Sequence, residues 1–216
     1  MTPLTEIIIE SGNSERVLSA RQLERLLDGS SGRRYGLVNR AIKANELLQA
    51  RRGLYVLADK YRRHPVHPFT LAQHWMPGSY VSAETALSFH GWIPEAVHAV
   101  VSMTSGGKTM RYSHAVFGQF EFCRMTVNTG YFLQGVARLE LEQQVALVAD
   151  PMRALLDLVY LRKLHWQGLD FLIDGLRVDE HAIKSVPSSN IKMLLQVYKG
   201  KREQVFIEEL LRSLGL

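Results

Sequence analysis

The chain has a single cysteine, Cys123, so it forms no intramolecular disulfide and holds no set of thiolates from which a zinc cluster could be built. Nothing in it calls for an oxidising compartment. No apolar run reaches the roughly 18 residues that a membrane-crossing helix requires. The opening residues, MTPLTEIIIESGNSER, lack a basic stretch ahead of the apolar one and carry Glu6 and Glu10, which speaks against a secretory leader. These absences predict a soluble protein of the reducing cytoplasm, with no membrane partner. What is present is globular in character: 46% hydrophobic and 22% charged residues over 216 positions, enough for a sizeable core and for one or two domains.

Acidic residues are scarce in one region. Between positions 33 and 63 stand nine Lys or Arg (Arg33, Arg34, Arg40, Lys43, Arg51, Arg52, Lys60, Arg62, Arg63) against Glu46 and Asp59 alone, a local charge of +7 where the whole chain carries +5. Residues 64–216 hold 14 basic and 14 acidic side chains and are neutral. A compact basic segment suits a polyanion, because each phosphate it neutralises releases condensed counterions. Two domains are therefore expected: a basic one over residues 1–63 and a larger neutral one over residues 64–216, divided at the stiff His64-Pro65-Val66-His67-Pro68 junction.

In the basic part, Leu4, Ile7 and Ile8 share a helical face, and Ser19 suits the N-cap of a helix over residues 20–27, with Leu23, Leu26 and Leu27 on one side. Asp28-Gly29-Ser30-Ser31-Gly32 reads as a turn, after which Tyr35, Leu37, Val38, Ala41 and Ile42 resume helical spacing. Glu46-Leu47-Leu48-Gln49 and Leu54-Tyr55-Val56-Leu57 read as two strands around an Ala50-Arg51-Arg52-Gly53 reversal. The pattern predicts a winged helix-turn-helix. In that geometry the second helix of the pair enters the major groove of double-stranded DNA and the hairpin rests on the backbone. Arg33, Arg34, Tyr35, Asn39, Arg40 and Lys43 would face the groove, with Arg34, Asn39 and Arg40 reading bases. Lys43, Arg51 and Arg52 would meet phosphates, and Arg62 and Arg63 would extend the same side. A solvated basic face, or a winged helix serving as a protein-interaction scaffold, would leave a similar pattern.

The neutral part shows strand candidates at residues 98–104, 119–125, 131–136 and 144–148, and helices at residues 69–75, 82–89, 151–164 and 169–176. Ser82 and Asp150 are expected to cap the helices that follow them, and Ser188 or Ser189 the first of a helical C-terminal segment. The fold class expected is α+β: the winged domain followed by a mixed α/β domain with a helical end. Two segments here carry a resemblance. Tyr80-Val81-Ser82-Ala83-Glu84-Thr85-Ala86-Leu87-Ser88-Phe89-His90-Gly91-Trp92-Ile93-Pro94 and Val145-Ala146-Leu147-Val148-Ala149-Asp150-Pro151-Met152-Arg153-Ala154-Leu155-Leu156-Asp157-Leu158-Val159-Tyr160-Leu161 resemble segments of the AbiEi-type antitoxins, the repressor halves of abortive-infection, type IV toxin-antitoxin systems. Residues 100–104 with Gly106, Gly107, Lys108 and Arg111 are similar to a strand and basic turn between them. The resemblance implies a repressor that binds inverted repeats in its own operon's promoter, singly or paired on the DNA. It also implies a functional partner, a nucleotidyltransferase-like toxin, countered without a stable complex.

Catalytic motifs are incomplete. Ser102-Met103-Thr104-Ser105-Gly106-Gly107-Lys108-Thr109 approaches a phosphate-binding loop, but its first glycine is replaced by Ser102 and a strand, not a helix, is expected next. Lys108 and Arg111 are better read as an auxiliary basic patch. His64 and His67 lack a carboxylate or thiol at ligand spacing, and His90 suits a helix end. Asp150 and Asp157, seven apart, leave a DNA-directed, metal-dependent nuclease as the enzymatic alternative. The leading expectation is a non-enzymatic DNA-binding repressor with no cofactor, no metal and no catalytic residue.

Overall fold

The computed structural model describes residues 1–215, a mixed α+β fold that divides into two compact units. The first comprises Met1–Pro77 with Glu140–Val145, and the second Gly78–Leu139 with Ala146–Leu216. The first unit thus runs past residue 63, because helical residues 68–75 and a short returning segment group with it.

The first unit begins with α1 (Pro3–Glu10), β1 (Leu18–Ser19), α2 (Ala20–Leu26) and α3 (Ser31–Lys43), followed by the hairpin β2 (Leu47–Arg51) and β3 (Leu54–Leu57), and α4 (Pro68–Trp75). Ser19 caps α2 as expected and does so reciprocally: its hydroxyl accepts from the Gln22 backbone N–H while its own N–H donates to the Gln22 carboxamide. The three strands form an antiparallel sheet in the order β1-β3-β2. A register shift between Gln49 and Arg51 lets β2 run further than the sequence suggests, so the reversal narrows to Arg52-Gly53, with Gly53 at φ 78°. Leu4, Ile8, Leu18, Leu23, Leu37 and Leu57 close one core between helices and sheet.

Two polar devices tie this unit together. Glu46 is buried at the start of the hairpin and accepts from the Thr2 backbone N–H at 2.6 Å and the Thr5 hydroxyl at 2.8 Å. Those hydrogen bonds, the Thr2 N–H foremost, hold its carboxyl down at about 2, against an ordinary 4.5. Gln144, in the returning segment, accepts from the His67 N–H at 2.9 Å and donates to the Pro65 carbonyl at 2.8 Å, while the Thr70 hydroxyl donates to the Val145 carbonyl.

The second unit carries a six-stranded mixed sheet with helices, of which only residues 140–145, at the end of β8 and the start of β9, group with the first unit. Its strands are β4 (Tyr80–Val81), β5 (Ala99–Thr104), β6 (Met110–His114), β7 (Gly118–Arg124), β8 (Val136–Leu141) and β9 (Gln144–Ala149), in the order β6-β7-β5-β4-β9-β8. β5 runs parallel to β7, and β4 parallel to β9, while β4–β5 and β6–β7 are antiparallel. The helices are α5 (Ala83–Phe89), α6 (Pro151–Arg162), α7 (Glu180–Lys184), α8 (Ser188–Met193) and α9 (Lys201–Ser213), with a π-helical turn at Phe171–Gly175. No helix of the described residues is long and apolar enough to cross a membrane.

At the centre of this unit lies Asp157, fully buried on α6. Its Oδ1 accepts from Arg153 Nε at 2.9 Å and the Tyr198 hydroxyl at 2.7 Å; its Oδ2 accepts from the hydroxyls of Tyr80 at 2.9 Å and Ser82 at 2.6 Å. Burial, reinforced by the carboxylate, pushes both phenols well above their ordinary pKa, so they stay protonated donors. Burial, the largest single influence, would lower the pKa of the Arg153 guanidinium; Asp157, Tyr198 and Tyr80 together outweigh it and raise it. Arg153 also donates to the Gln134 carbonyl at 2.6 Å and the Phe132 carbonyl at 3.4 Å.

This network explains several departures from the expected elements. Residues 131–135 turn rather than form a strand, because carbonyls there are aimed at Arg153, and Gly135, at φ 70°, passes so close that an added Cβ would sit 3.1 Å from the Arg153 Cβ. Ser82 occupies the N-cap of α5 without capping it, since its hydroxyl goes to Asp157. Asp150 makes no side-chain cap either; its backbone N–H donates to the Gly135 carbonyl at 2.9 Å. Pro187, not a serine, stands at the N-cap of α8.

Asp157→Ala is expected to cost roughly 3–5 kcal/mol, because it strands the Arg153 charge in a dry site, and Tyr198→Phe about 1 kcal/mol; chemical denaturation of the two variants checks the contrast. For Glu46 the sign follows from its depressed pKa: its contribution is complete above about pH 4.5 and disappears as pH falls toward 2. The gap in melting temperature between wild type and Glu46→Gln should therefore be widest near neutrality and close over that window.

Candidate nucleic-acid interface

α3 is held by its N-cap, Ser30, whose hydroxyl accepts from the Arg33 N–H at 3.3 Å, and by Leu37 and Ala41, which are buried on the inner face. The opposite face follows from a 100° step per residue: Gly32, Tyr35, Gly36, Asn39 and Lys43 lie along it. Tyr35 is 72% exposed, an unusual position for so large a ring, and Lys43 is exposed. Arg33 and Arg40 lie to one flank of this line, both exposed. The helix ends with Arg40 and Lys43 in its last turn, where cations complement the carbonyl end of the dipole.

The two glycines were not singled out by the sequence, which placed Gly32 in a turn. Their spacing of four was the available signal. An added Cβ at Gly32 would meet nothing within 4 Å, and one at Gly36 only Arg40 Nη1 at 3.8 Å, so packing within the fold does not demand glycine at either position. Mid-helix glycine costs about 1 kcal/mol relative to alanine. The surface they leave is low enough for the backbone of α3 to approach another molecule closely.

The remaining expected residues divide. Arg34 is half-buried and its Nη1 donates to the Gly29 carbonyl at 3.1 Å, which commits part of the guanidinium to closing the turn before α3. Arg52 is exposed at the hairpin reversal, and Arg51 beside it is exposed while donating to the Trp75 carbonyl at 2.7 Å. Arg63 is exposed, its backbone N–H held by the Glu15 carboxylate at 2.8 Å. Arg62 must be removed from the surface set: its side chain is buried, donating to the carbonyls of Ser14 at 2.9 Å, Glu15 at 3.0 Å and His64 at 3.1 Å. It is a bracket between residues 14–15 and His64, and burial lowers its pKa against the raising effect of Glu15.

Beside Tyr35 and Asn39 runs a groove of about 570 Å³ whose floor is Leu23, Leu27, Val38, Ile42 and Tyr55. In the second unit, Lys108 is exposed in a turn that leads into β6, and no helix follows that turn to cradle a phosphate. Arg111 pairs with Glu121 at 2.9 Å, so the two add no net positive charge beside Lys108. Asp150 is exposed while Asp157 has its acceptor sites occupied, so the two do not form a shared carboxylate site; among the described residues no group of three His, Cys, Asp or Glu is placed to hold a metal. His67 Nδ1 accepts from the Phe69 N–H, and His90 Nε2 lies 3.0 Å from the Ala149 carbonyl, a partner on β9 rather than at its own helix end. No protein-family model matches the chain, and no curated protein matches it.

Arg62→Ala is expected to destabilise the protein by roughly 2–4 kcal/mol, since three carbonyls lose a charged donor. Arg63→Ala and Arg52→Ala should stay within about 0.5 kcal/mol of wild type; urea unfolding of the three variants distinguishes a bracket from a surface charge.

Proposed function

We propose that the first unit is a winged helix-turn-helix that binds double-stranded DNA, with α3 in the major groove and the β2–β3 hairpin as the wing. The observation that carries this reading is the outer face of α3: Gly32 and Gly36 keep it low, Tyr35 and Asn39 stand above it, and Lys43 ends it. A helix that enters a groove needs its backbone close to base edges, which the glycines permit. Asn39 has the donor and acceptor pair that matches adenine, and the Tyr35 ring offers an apolar contact for a thymine methyl. Arg33, Arg40, Lys43 and Arg52 supply phosphate contacts, with Arg51 and Arg34 contributing the donors they have left. The base-reading set is thus centred on Asn39 and Tyr35, with Arg34 in a mainly structural role.

The resemblance of residues 80–94 and 145–161 to AbiEi-type antitoxins extends the proposal to biology: a non-enzymatic, cytoplasmic repressor that binds inverted repeats in the promoter of its own operon, singly or as a pair, opposite a nucleotidyltransferase-like toxin. A protein-interaction scaffold is the reading favoured by one other observation, the apolar groove beside Tyr35. Salt separates the two, because phosphate binding weakens steeply with ionic strength and apolar docking does not.

Anisotropy titrations of the full chain against a duplex selected from a random pool give the test. Asn39→Ala should lose about 1–3 kcal/mol and relax preference at one position, whereas Lys43→Ala should weaken all duplexes alike and reduce the salt slope by about 1. Gly36→Gln should raise stability by about 0.5–1 kcal/mol while weakening DNA binding. Binding indifferent to salt, or unchanged in both Asn39→Ala and Gly36→Gln, overturns the reading.

A further inference from the structure

The second unit holds a cleft of about 900 Å³ that the DNA-binding reading does not use. Its origin is a mismatch in strand length. β4 has two residues and β5 six, so the first half of β5 has no strand neighbour on that side; Thr85 of α5 steps in, donating to the Ala99 carbonyl and accepting from the Val101 N–H, each at 2.9 Å. The space beyond is walled by Ile93, Val101, Leu158 and Leu161. Among its lining residues are three arginines and three glutamates arranged as pairs: Arg111–Glu121 at 2.9 Å, Arg162–Glu84 at 2.5 Å and Arg177–Glu95 at 2.9 Å.

We propose that this cleft binds a small zwitterion with an aliphatic body, the chemistry of a free apolar amino acid or a dipeptide. The charges around it cancel, which disfavours a polyanion such as a nucleotide and a polycation equally. The arginine side chains are half or more exposed, so each pair is weak in water and its members can exchange partners for a ligand's carboxylate and ammonium at little cost. Glu95 has an acceptor to spare: Oε1 is held by Arg177 and Oε2 has no hydrogen-bond partner, and because the side chain is 42% exposed a rotation of the carboxylate brings that oxygen to a ligand. A ligand ammonium supplies the missing donor, and the aliphatic wall takes the side chain. The volume falls in the range of small-molecule sites, roughly 300–1,000 Å³. Cys123 lines the cleft, but burial first and Glu121 second push its thiol up to about 12, so it is a wall and not a nucleophile.

Calorimetric titration of the full chain with L-leucine, L-leucyl-L-leucine, 4-methylpentanoate and 3-methylbutylamine tests the assignment. Either zwitterion is expected to bind about tenfold or more tightly than the single-charge analogues. Tighter binding of leucine assigns a free amino acid, and of leucyl-leucine a peptide. Arg177→Gln should weaken the zwitterion and the carboxylate but spare the amine, and Glu95→Gln the reverse; circular dichroism confirms that each variant is folded. Absence of binding by both zwitterions at millimolar concentration, or equal affinity for all four compounds, overturns the proposal without reference to any variant. DNA affinity plays no part in this readout, so its outcome is independent of the α3 experiment.

Discussion

A carboxylate placed where no water reaches has to find every donor it needs from the chain itself, and Asp157 does so from four positions at once. Those positions lie on the short strand β4, at the start of α5, one turn back on α6, and just before α9. Because the donors come from three separate stretches of chain, residues 80–82, 153 and 198, the carboxylate sets how the sheet, its helices and the C-terminal segment meet. Arg153 carries the order one step further, to the carbonyls of Phe132 and Gln134. Tyr80 and Ser82 stand within residues 80–94, and Arg153 and Asp157 within residues 145–161. What joins those segments is an internal polar network through these four side chains.

The same side chain serves opposite ends in this molecule. The guanidiniums of Arg153 and Arg62 are buried and spend their donors on the backbone and on one carboxylate. Those of Arg33, Arg40 and Arg52 face solvent. Charge counted along a sequence adds the two kinds together, so the excess between residues 33 and 63 overstates the cationic surface by the bracket at Arg62 and by the donors that Arg34 and Arg51 give to carbonyls.

Where local rules act alone, the sequence was readable. Ser19 and Gln22 needed only each other, the leucines of α1 to α3 needed only their period, and Gly53 marked where the hairpin reverses. The limits were met where a distant partner outbid the local one. Ser82 turns from the end of α5 to a carboxylate 75 residues away, and residues 131–135, apolar enough for a strand, bend to serve Arg153. On α3 the difficulty was of another kind. Glycine reads as a break in a sequence, and only the finished helix reveals Gly32 and Gly36 as open surface rather than as ends.

The returning segment Glu140–Val145 has a consequence for how the chain is made. It forms the tip between β8 and β9, with Glu142 and Gln143 at φ 48° and 64°, a left-handed pair that non-glycine residues adopt only under constraint. Residues 65, 67 and 70 find their partners there, at Gln144 and Val145. Translation delivers that tip on the order of several seconds after residue 77 has emerged. Until then residues 65, 67 and 70 have only water as partner for these groups, so this corner of the first unit is completed after β4 to β8 have been made, and a nascent chain cut short before residue 145 lacks a piece of both units.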